Sequence, residues 1–223
     1  MKNIFEFMKK CPLFSGMTDD ELTAVLENPD TKIQDFSKNQ TVTAEGSNAD
    51  FVGIILSGSV HIIRNDYYGN RSIIAHIDSP QIFAEVFAFS KLRTMPVSVI
   101  SASDSSIMFI KSQGANNIPE QKESYAKLTN NLLHIVTEKN LKLNEKIEIV
   151  SRRTIREKLM AFLLSQAKQN NSDTFTIPYD RQALADFLEA DRSALSAEIS
   201  KLRAEGIIES HKSKFRLIKN DQI

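Results

Sequence analysis

Histidine, cysteine and carboxylate side chains build most metal centres and catalytic nucleophiles, and this sequence holds few of the first two. Its 223 residues include four histidines and one cysteine. The histidines fall in four different predicted elements, and no two have the spacing of metal ligands: His61, His76, His134 and His211. The single cysteine, Cys11, excludes a disulfide framework or a four-cysteine iron–sulfur cluster within this chain. We therefore expect no metal site and no enzyme built on one.

A second set of side chains indicates contact with nucleic acid. Asp191 has the position of an N-cap, and the early turns of the helix after it present small or polar residues outward: Arg192, Ser193, Ser196 and Ala197. An arginine can donate two hydrogen bonds to a guanine edge, and an alanine methyl can contact a thymine methyl. Lysines farther along are candidates for phosphate contacts: Lys201, Lys212 and Lys214.

Each of these residues also has a simpler interpretation. Arg192 can pair with Asp191 as an ordinary cap residue, and the three lysines can be solvated surface charges. Both interpretations remain open here. The choice between nucleic-acid contact and ordinary surface charge depends on the helices and strands that surround these residues.

Apolar spacing predicts two short helices joined by a tight turn. Asp180 begins the first helix, which extends through Leu188, and the second runs from Arg192 to Ala204. Ala185 is the small residue that lets them cross, and the core around it is formed by Leu184, Leu188, Leu195, Ile199 and Leu202. Residues 207–209 and 215–217 then form a basic hairpin in the position of a wing. This pattern is a winged helix-turn-helix, preceded by a helix over residues 154–169 and a short strand over 174–177.

The first half of the chain has a different pattern. From Thr31 to Ile110, short runs rich in Val, Ile and Phe alternate with turn signals, which is typical of an all-β sandwich or barrel. Alternation is clear over residues 60–64 and 97–101, and residues 51–56 form a more buried run. Thr18 and Glu21 form a capping box that predicts a short helix before the strands.

The region from Glu120 to Arg156 contains neither glycine nor proline and predicts one long helix. Its apolar residues repeat at heptad spacing over more than three repeats, with Thr129 and Asn140 in the same seam. The dimer interface is expected on Leu133, Val136, Asn140, Leu143, Ile147 and Val150. A second stripe, Leu128, Leu132 and Ile135, is expected to pack on the β domain. The alternative is a helix whose seam covers only its own domain.

The charge distribution and the targeting signals indicate the cellular location that we expect for the protein. The 28 Lys and Arg equal the 28 Asp and Glu, but residues 1–118 carry 10 against 13 and residues 151–223 carry 13 against 10. No apolar run approaches the roughly 18 residues that a membrane span needs. Lysines occupy the place of a signal peptide's apolar core. We expect a cytoplasmic protein without a membrane partner.

The order of these elements resembles the superfamily of the cyclic-AMP receptor protein and the fumarate–nitrate regulator, which are bacterial transcription factors. The motifs that carry the resemblance are Cys11-Pro12-Leu13-Phe14, Glu45-Gly46, Gly58-Ser59-Val60, Phe83-Ala84-Glu85-Val86 and Asp191-Arg192-Ser193-Ala194-Leu195. The resemblance covers nearly the whole chain. It implies an α+β protein with a double-stranded β-helix (a cupin-like β-roll) that senses an effector over residues 1–118. It also implies a dimerisation helix over 119–150. A winged helix-turn-helix over 151–223 is then expected to bind a double-stranded DNA operator.

The resemblance also locates an effector site. In relatives that bind cyclic nucleotides, a Gly-Glu pair at the segment matching Ala84-Glu85 holds the ribose, and an Arg-Ser pair holds the cyclic phosphate. Glu85 is kept, but the Arg-Ser pair falls on Met95-Pro96, which offers an anion neither a cation nor a donor. We expect an effector other than cyclic AMP. The candidate residues are Phe83, Ala84, Glu85, Phe87, Arg93, Met95, Pro96 and Val97, with Asn140 and Asn144 on the long helix.

Other forms of sensing stay as alternatives. A haem would need an axial ligand, and His76 is the histidine placed near the pocket. Redox sensing would need a reactive Cys11, and the cations near it in sequence are Lys9 and Lys10. We expect no cofactor, only a small-molecule effector of unknown identity.

The expected function is therefore that of a homodimeric transcription regulator. Effector binding would shift the helix pair so that two recognition helices reach successive major grooves, about 34 Å apart. Two other functions remain open: a protein-contact adaptor with a cyclic-nucleotide-like domain, and a cupin-type metalloenzyme.

Overall fold

The computed structural model describes residues 2–88, 90–91, 94–111 and 122–218. They divide into two compact units. The first consists of the chain up to Arg64 together with Ile74–Asn140, and the second of Asn65–Ile73 together with the chain from Leu141 onward. Arg93, one of the candidate effector residues, lies outside the described residues.

Two helices precede the strands. Helix α1 covers Lys2–Lys10, a 3₁₀ turn follows at Pro12–Phe14, and α2 covers Asp19–Leu26. The predicted capping box is present: the Glu21 amide donates to Thr18 Oγ1 over 3.3 Å, and the Thr18 amide donates to Glu21 Oε2 over 2.6 Å. The sequence interpretation included α2 but not α1.

Eight strands form two four-stranded sheets. The strands are β1 (Thr31–Phe36), β2 (Thr41–Thr43), β3 (Phe51–Ser57), β4 (Ser59–Asn65), β5 (Arg71–Asp78), β6 (Ile82–Phe83), β7 (Ser98–Ser101) and β8 (Ser105–Lys111), with a short helix α3 at Glu85–Ala88. The sheet orders are β1-β8-β3-β6 and β2-β7-β4-β5. The paired registers of the first sheet are antiparallel. This arrangement confirms the predicted β-roll.

Aromatic packing shapes the centre of the roll. Gly53 of β3 pairs with Phe83 of β6, and the Phe83 ring covers the glycine so closely that an added Cβ would lie 2.2 Å from the ring Cζ. The same ring makes edge-to-face contacts with Phe51 and Phe109, each with centroids 6.3 Å apart. Glycine is therefore required at position 53 for the segment before Glu85 to sit against β3.

Helix α4 covers Lys122–Val150. Its stripe of Leu128, Leu132 and Ile135 packs against the cluster formed by the N-terminal helices and the first sheet, as predicted. The prediction of one helix through Arg156 is wrong at the C-terminal end. Thr154 instead caps the next helix, because Thr154 Oγ1 accepts from the Glu157 amide over 3.2 Å and Glu157 Oε2 accepts from the Thr154 amide over 3.1 Å.

The C-terminal region has the predicted winged arrangement. Helix α5 covers Ile155–Asn170, β9 Thr174–Thr176, α6 Arg181–Leu188, α7 Arg192–Ala204, β10 Ile208–His211 and β11 Lys214–Leu217. The three strands form one sheet in the order β10-β11-β9. Ala185 at the crossing is fully buried, and so are Leu184, Leu188, Leu195 and Leu202.

We predict that Gly53→Ala destabilises the fold by about 2 kcal/mol, because the new methyl group overpacks against the Phe83 ring. Urea unfolding followed by circular dichroism measures the change. In a Gly53→Ala/Phe83→Leu double variant the ring is gone, so the combined loss should be smaller than the sum of the two single losses. Simple additivity would show that the two side chains do not collide.

Candidate nucleic-acid interface and effector site

The amphipathic character of α7 exposes the residues predicted to contact bases. Leu195, Ile199 and Leu202 bury one side of the helix. On the other side Arg192, Ser193 and Ala197 are exposed and Ser196 is half-buried. Because these positions lie in the first two turns, they form one continuous surface at the N-terminal end of α7.

Asp191 caps α7 as predicted, and this cap decides how the neighbouring side chains are used. Its Oδ1 accepts hydrogen bonds from Ser193 Oγ over 2.5 Å and from the Ala194 amide over 2.9 Å. These bonds hold the pKa of Asp191 below its usual value. Arg192 makes no ion pair with any described residue, so it is not engaged by the cap. The Ser193 hydroxyl, in contrast, is directed to the cap.

Helix α5 fixes the far end of α7. Arg156 Nη1 lies 3.3 Å from Glu198 Oε1 and 3.0 Å from Glu205 Oε1. The bonds with Glu205 raise the pKa of Arg156 above its ordinary value and lower the pKa of Glu205. Helix α7 is therefore held at both ends.

Among the three candidate phosphate ligands, two lie in the wing. Lys212 and Lys214 are exposed at the turn between β10 and β11, where Lys212 adopts a φ of +52°. Lys201 is also exposed, but its Nζ lies 4.0 Å from Glu198 Oε2. Its charge is therefore partly balanced within the protein.

Two cations near the wing were missed by the sequence interpretation. Arg181 lies over the Phe215 ring, 5.6 Å from its centroid, and partial burial together with the charge of Arg203 lowers the pKa of Arg181. Arg203 lines a groove of about 830 Å³ between the end of α7 and the wing, together with Lys214 and Arg216. Nothing in the heptad or strand pattern indicates that these residues meet.

The structure brings most of the candidate effector residues together. Phe83, Ala84, Met95 and Val97 are buried members of one core cluster of the β-roll, and Phe87 packs against it. Pro96, next to Met95, is half-buried. Asn140 and Asn144, in contrast, are exposed on α4.

Glu85 is held by a residue that the sequence interpretation did not include. The carboxylate is 2% exposed, and its Oε1 accepts a hydrogen bond from Lys139 Nζ of α4 over 2.7 Å. Lys139 also donates to the Ile82 carbonyl over 2.7 Å. The second carboxylate oxygen of Glu85, Oε2, is buried without a hydrogen-bond partner among the described residues.

Met95 and Pro96 stand where the resemblance places an Arg-Ser pair. The Met95 side chain is 1% exposed, its amide donates to the Ser47 carbonyl and its carbonyl accepts from the Gly46 amide, each over 2.8 Å. Met95 thus closes the turn that contains Glu45 and Gly46. Neither Met95 nor Pro96 carries a charge that could hold a phosphate.

The heptad seam of α4 faces solvent in the single chain. Leu133 is 64% exposed, Leu143 45% and Ile147 54%. Asn140, in the same seam, is exposed, while Val136 and Val150 are half-buried. An apolar helical face of this length is unusual on a monomer surface.

Two of the histidines and the cysteine pack within the first unit. His61 and His76 lie in separate strands, β4 and β5, and pack edge to face with centroids 5.0 Å apart. His76 Nε2 lies 2.9 Å from Asp78 Oδ1. Within the described ranges no three His, Cys, Asp or Glu residues are close enough to hold a metal ion. Burial raises the pKa of Cys11 to about 11, which keeps its thiol protonated at neutral pH. No helix of the described chain is long and apolar enough to cross a bilayer.

Comparison with known families gives two matches in chain order. A family model described as the cyclic nucleotide-binding domain matches residues 33–122, and one described as the Crp-like helix-turn-helix domain matches residues 157–222. No curated protein matches the chain.

Solved structures share the fold. FixK2 from Bradyrhizobium japonicum is 16% identical, with a TM-score of 0.68 over 86% of this chain and 94% of its own. CLP from Xanthomonas campestris, described as a c-di-GMP-responsive global regulator, is 15% identical, with a TM-score of 0.73 over 91% of this chain and 100% of its own. A CooA variant from Carboxydothermus hydrogenoformans is 16% identical, with a TM-score of 0.73 over 95% of this chain and 90% of its own.

At these low identities the structural likeness supports the fold alone. The two family models cover the β-roll and the winged helix-turn-helix separately. Family members are transcription regulators rather than enzymes. With both models matched in this order, the chain belongs to the Crp/Fnr family of DNA-binding transcription regulators.

Proposed function

We propose that this protein acts in the cytoplasm as a homodimer that binds an operator through α7 and the wing, and that a small molecule in the β-roll controls the binding. The observation that carries the proposal is the exposed surface of Arg192, Ser193 and Ala197 on a capped helix whose opposite side is fully packed. The proposed division is an effector domain over residues 1–118, a dimerisation helix over 119–150 and a DNA-binding domain over 151–223.

The contacts of the proposed interface differ along α7. Arg192 is the side chain suited to two hydrogen bonds with guanine, and Ala197 is suited to a thymine methyl. Ser193 is tied to Asp191, so it offers less to a base. Ser196, Lys201, Lys212 and Lys214 are proposed to contact the backbone or its phosphates. Recognition therefore depends on few direct base contacts, and the lysines add affinity that falls with salt.

Dimerisation is supported by the apolar seam on α4. Leu133, Leu143 and Ile147 together would bury a substantial apolar area against a second copy of the helix, worth about 25 cal/mol per Å². Asn140 lies between them, where a buried amide pairs best with its own symmetry mate. Two copies of α7 would then be available for two half-sites.

The effector is proposed to be a molecule other than cyclic AMP. Met95 and Pro96 supply no cation, and Lys139 already occupies one oxygen of Glu85. Glu85 Oε2 remains as an acceptor for a donor group on the ligand. The surrounding cluster is apolar, which favours an apolar or aromatic body.

A protein-contact adaptor is a poorer explanation, because it would not require the exposed surface of α7. Haem sensing through His76 is also disfavoured, since that imidazole packs on His61 and bonds to Asp78. Redox sensing through Cys11 is disfavoured by the burial of its thiol.

Arg192→Ala is expected to weaken operator binding by about 1–3 kcal/mol per half-site, that is, roughly 5- to 160-fold for each, because one bidentate base contact is lost in each half-site. The operator is first selected from a random duplex library with the unsubstituted protein, and affinity is measured by fluorescence anisotropy. Arg153→Ala, which removes an exposed arginine outside α7, serves as the matched control. Equal affinity for the two variants would contradict the assignment of the recognition residue.

Ile147→Glu is expected to shift the protein from dimer to monomer, because it places charges of the same sign opposite each other in the seam. Sedimentation equilibrium should give a mass near 25.1 kDa for the variant and twice that for the parent. Leu164→Glu is the control, since Leu164 is 48% exposed on α5 and lies outside the seam. A parent protein that is monomeric at micromolar concentration would refute the dimer.

Cyclic AMP at millimolar concentration is expected to leave the melting temperature unchanged, because a ligand that binds the folded state must stabilise it by mass action. Differential scanning fluorimetry measures the shift, with a cyclic-nucleotide-binding relative as positive control. A rise of several degrees would mean that the phosphate finds a cation which the pair Met95-Pro96 does not supply.

A further inference from the structure

The hairpin that joins β4 to β5 belongs to the same compact unit as the C-terminal region. Residues Asn65–Ile73 group with the chain from Leu141 onward, although β4 and β5 continue into the second sheet of the β-roll. Two side-chain contacts join the hairpin to α6 and α4, and they involve one ion pair and one buried lysine.

The ion pair joins the hairpin to the first helix of the helix-turn-helix. Arg71 Nε and Nη2 both lie 2.6 Å from Asp186 Oδ2 in α6, and Asp186 Oδ1 accepts from Gln182 Nε2 over 2.8 Å. The Asp186 side chain is 9% exposed. A carboxylate this buried needs partners for both oxygens, and Arg71 is the cation it uses.

The buried lysine joins three elements. Lys146 of α4 is 7% exposed, donates a hydrogen bond to the Ile73 carbonyl of the hairpin, and has its Nζ 4.9 Å from the centroid of the Phe187 ring in α6. Burial lowers the pKa of Lys146, and the carboxylate of Glu189 partly opposes this. The ammonium group is thus compensated by a carbonyl of the hairpin and by an aromatic face.

Asp66 holds the turn of the hairpin through three hydrogen bonds. Asp66 Oδ1 accepts from the amides of Tyr68 and Asn70, each over 2.8 Å, and its Oδ2 accepts from Asn70 Nδ2 over 2.8 Å. These bonds lower the pKa of Asp66. The turn is therefore closed by its own side chains.

We propose that Arg71, Asp186 and Lys146 form a clasp that holds the first helix of the helix-turn-helix against the hairpin and the C-terminal part of α4. This inference rests on the proposed function for its consequence at DNA, but the clasp itself is testable without DNA.

The clasp and the recognition surface use different residues. Asp186 and Phe187 are buried in α6, whereas Arg192, Ser193 and Ala197 are exposed on α7. DNA can therefore approach α7 while the clasp is closed. The clasp positions the helix-turn-helix for binding rather than covering it.

The first test is hydrogen–deuterium exchange of the full-length protein. Arg71→Ala should increase the exchange rate at least fivefold in peptides that cover residues 65–73 and 181–190. Arg64→Ala, an exposed arginine on the other strand of the same hairpin, is the matched control and should leave both peptides unchanged. Unchanged exchange over 181–190 in Arg71→Ala overturns the clasp, whether or not the protein binds DNA.

The second test compares DNA with two half-sites and DNA with one. Without the clasp each recognition helix samples more orientations, so the dimer must order both before it can bind two half-sites. Arg71→Ala should weaken binding to the two-site duplex about 5- to 10-fold and binding to the single site less than twofold, and Arg71→Lys should recover part of the loss. An unchanged or increased two-site affinity overturns the positioning role.

A second pair of variants protects the result against misfolding. Asp186→Asn removes the charge but keeps the planar shape of the carboxylate, and Lys146→Met removes the ammonium group but keeps an apolar side chain against Phe187. Both should lower the ratio of two-site to single-site affinity in the same way. A loss of thermal stability without a change in that ratio indicates a structural role alone and contradicts the proposal. If the unsubstituted protein binds no selected DNA, the proposed function fails while the exchange result still decides on the clasp.

Discussion

Helix α4 is the element on which the other features depend, because different sides of it meet different demands. Leu128, Leu132 and Ile135 pack on the N-terminal cluster, whereas Leu143 and Ile147 remain exposed in the single chain. One apolar side would be enough to hold a helix on its own domain. The second apolar side is left for another surface, and its heptad spacing favours a second copy of the same helix.

The two lysines that reach from α4 into the protein flank this seam. Lys139 and Lys146 are seven residues apart, so they occupy equivalent heptad positions next to Asn140 and Ile147. Lys139 donates to Glu85 at the start of α3, and Lys146 donates to the Ile73 carbonyl of the hairpin. A buried ammonium group is stable only while its acceptors stay in place. Of the two, Lys146 is the buried one at 7% exposed, whereas the Lys139 side chain is 27% exposed.

Local pattern predicted the elements well and long-range polar contacts poorly. The bounds of α6 and α7, the Asp191 cap and the buried leucines around Ala185 follow from spacing alone. The long helix was predicted too far, because the capping box of Thr154 and Glu157 is a short signal inside a favourable helical composition. Lys139 and Glu85 are 54 residues apart and Arg71 and Asp186 are 115 apart. No periodicity connects such pairs, and only the folded chain shows them.

The departures from the family pattern are consistent with one another. Met95 and Pro96, where the resemblance implies an Arg-Ser pair, carry no charge, and Lys139 supplies a cation to Glu85 from within the chain. Glu85 is 2% exposed, and Lys139 is the cation that balances its charge among the described residues. Because the balancing charge comes from Lys139 of α4, the ion pair couples Glu85 to this helix before any ligand binds. A neutral ligand that donates to Glu85 Oε2 would then bind a carboxylate whose other oxygen already accepts from Lys139 of α4. Such a ligand could act on the helix although it carries no phosphate.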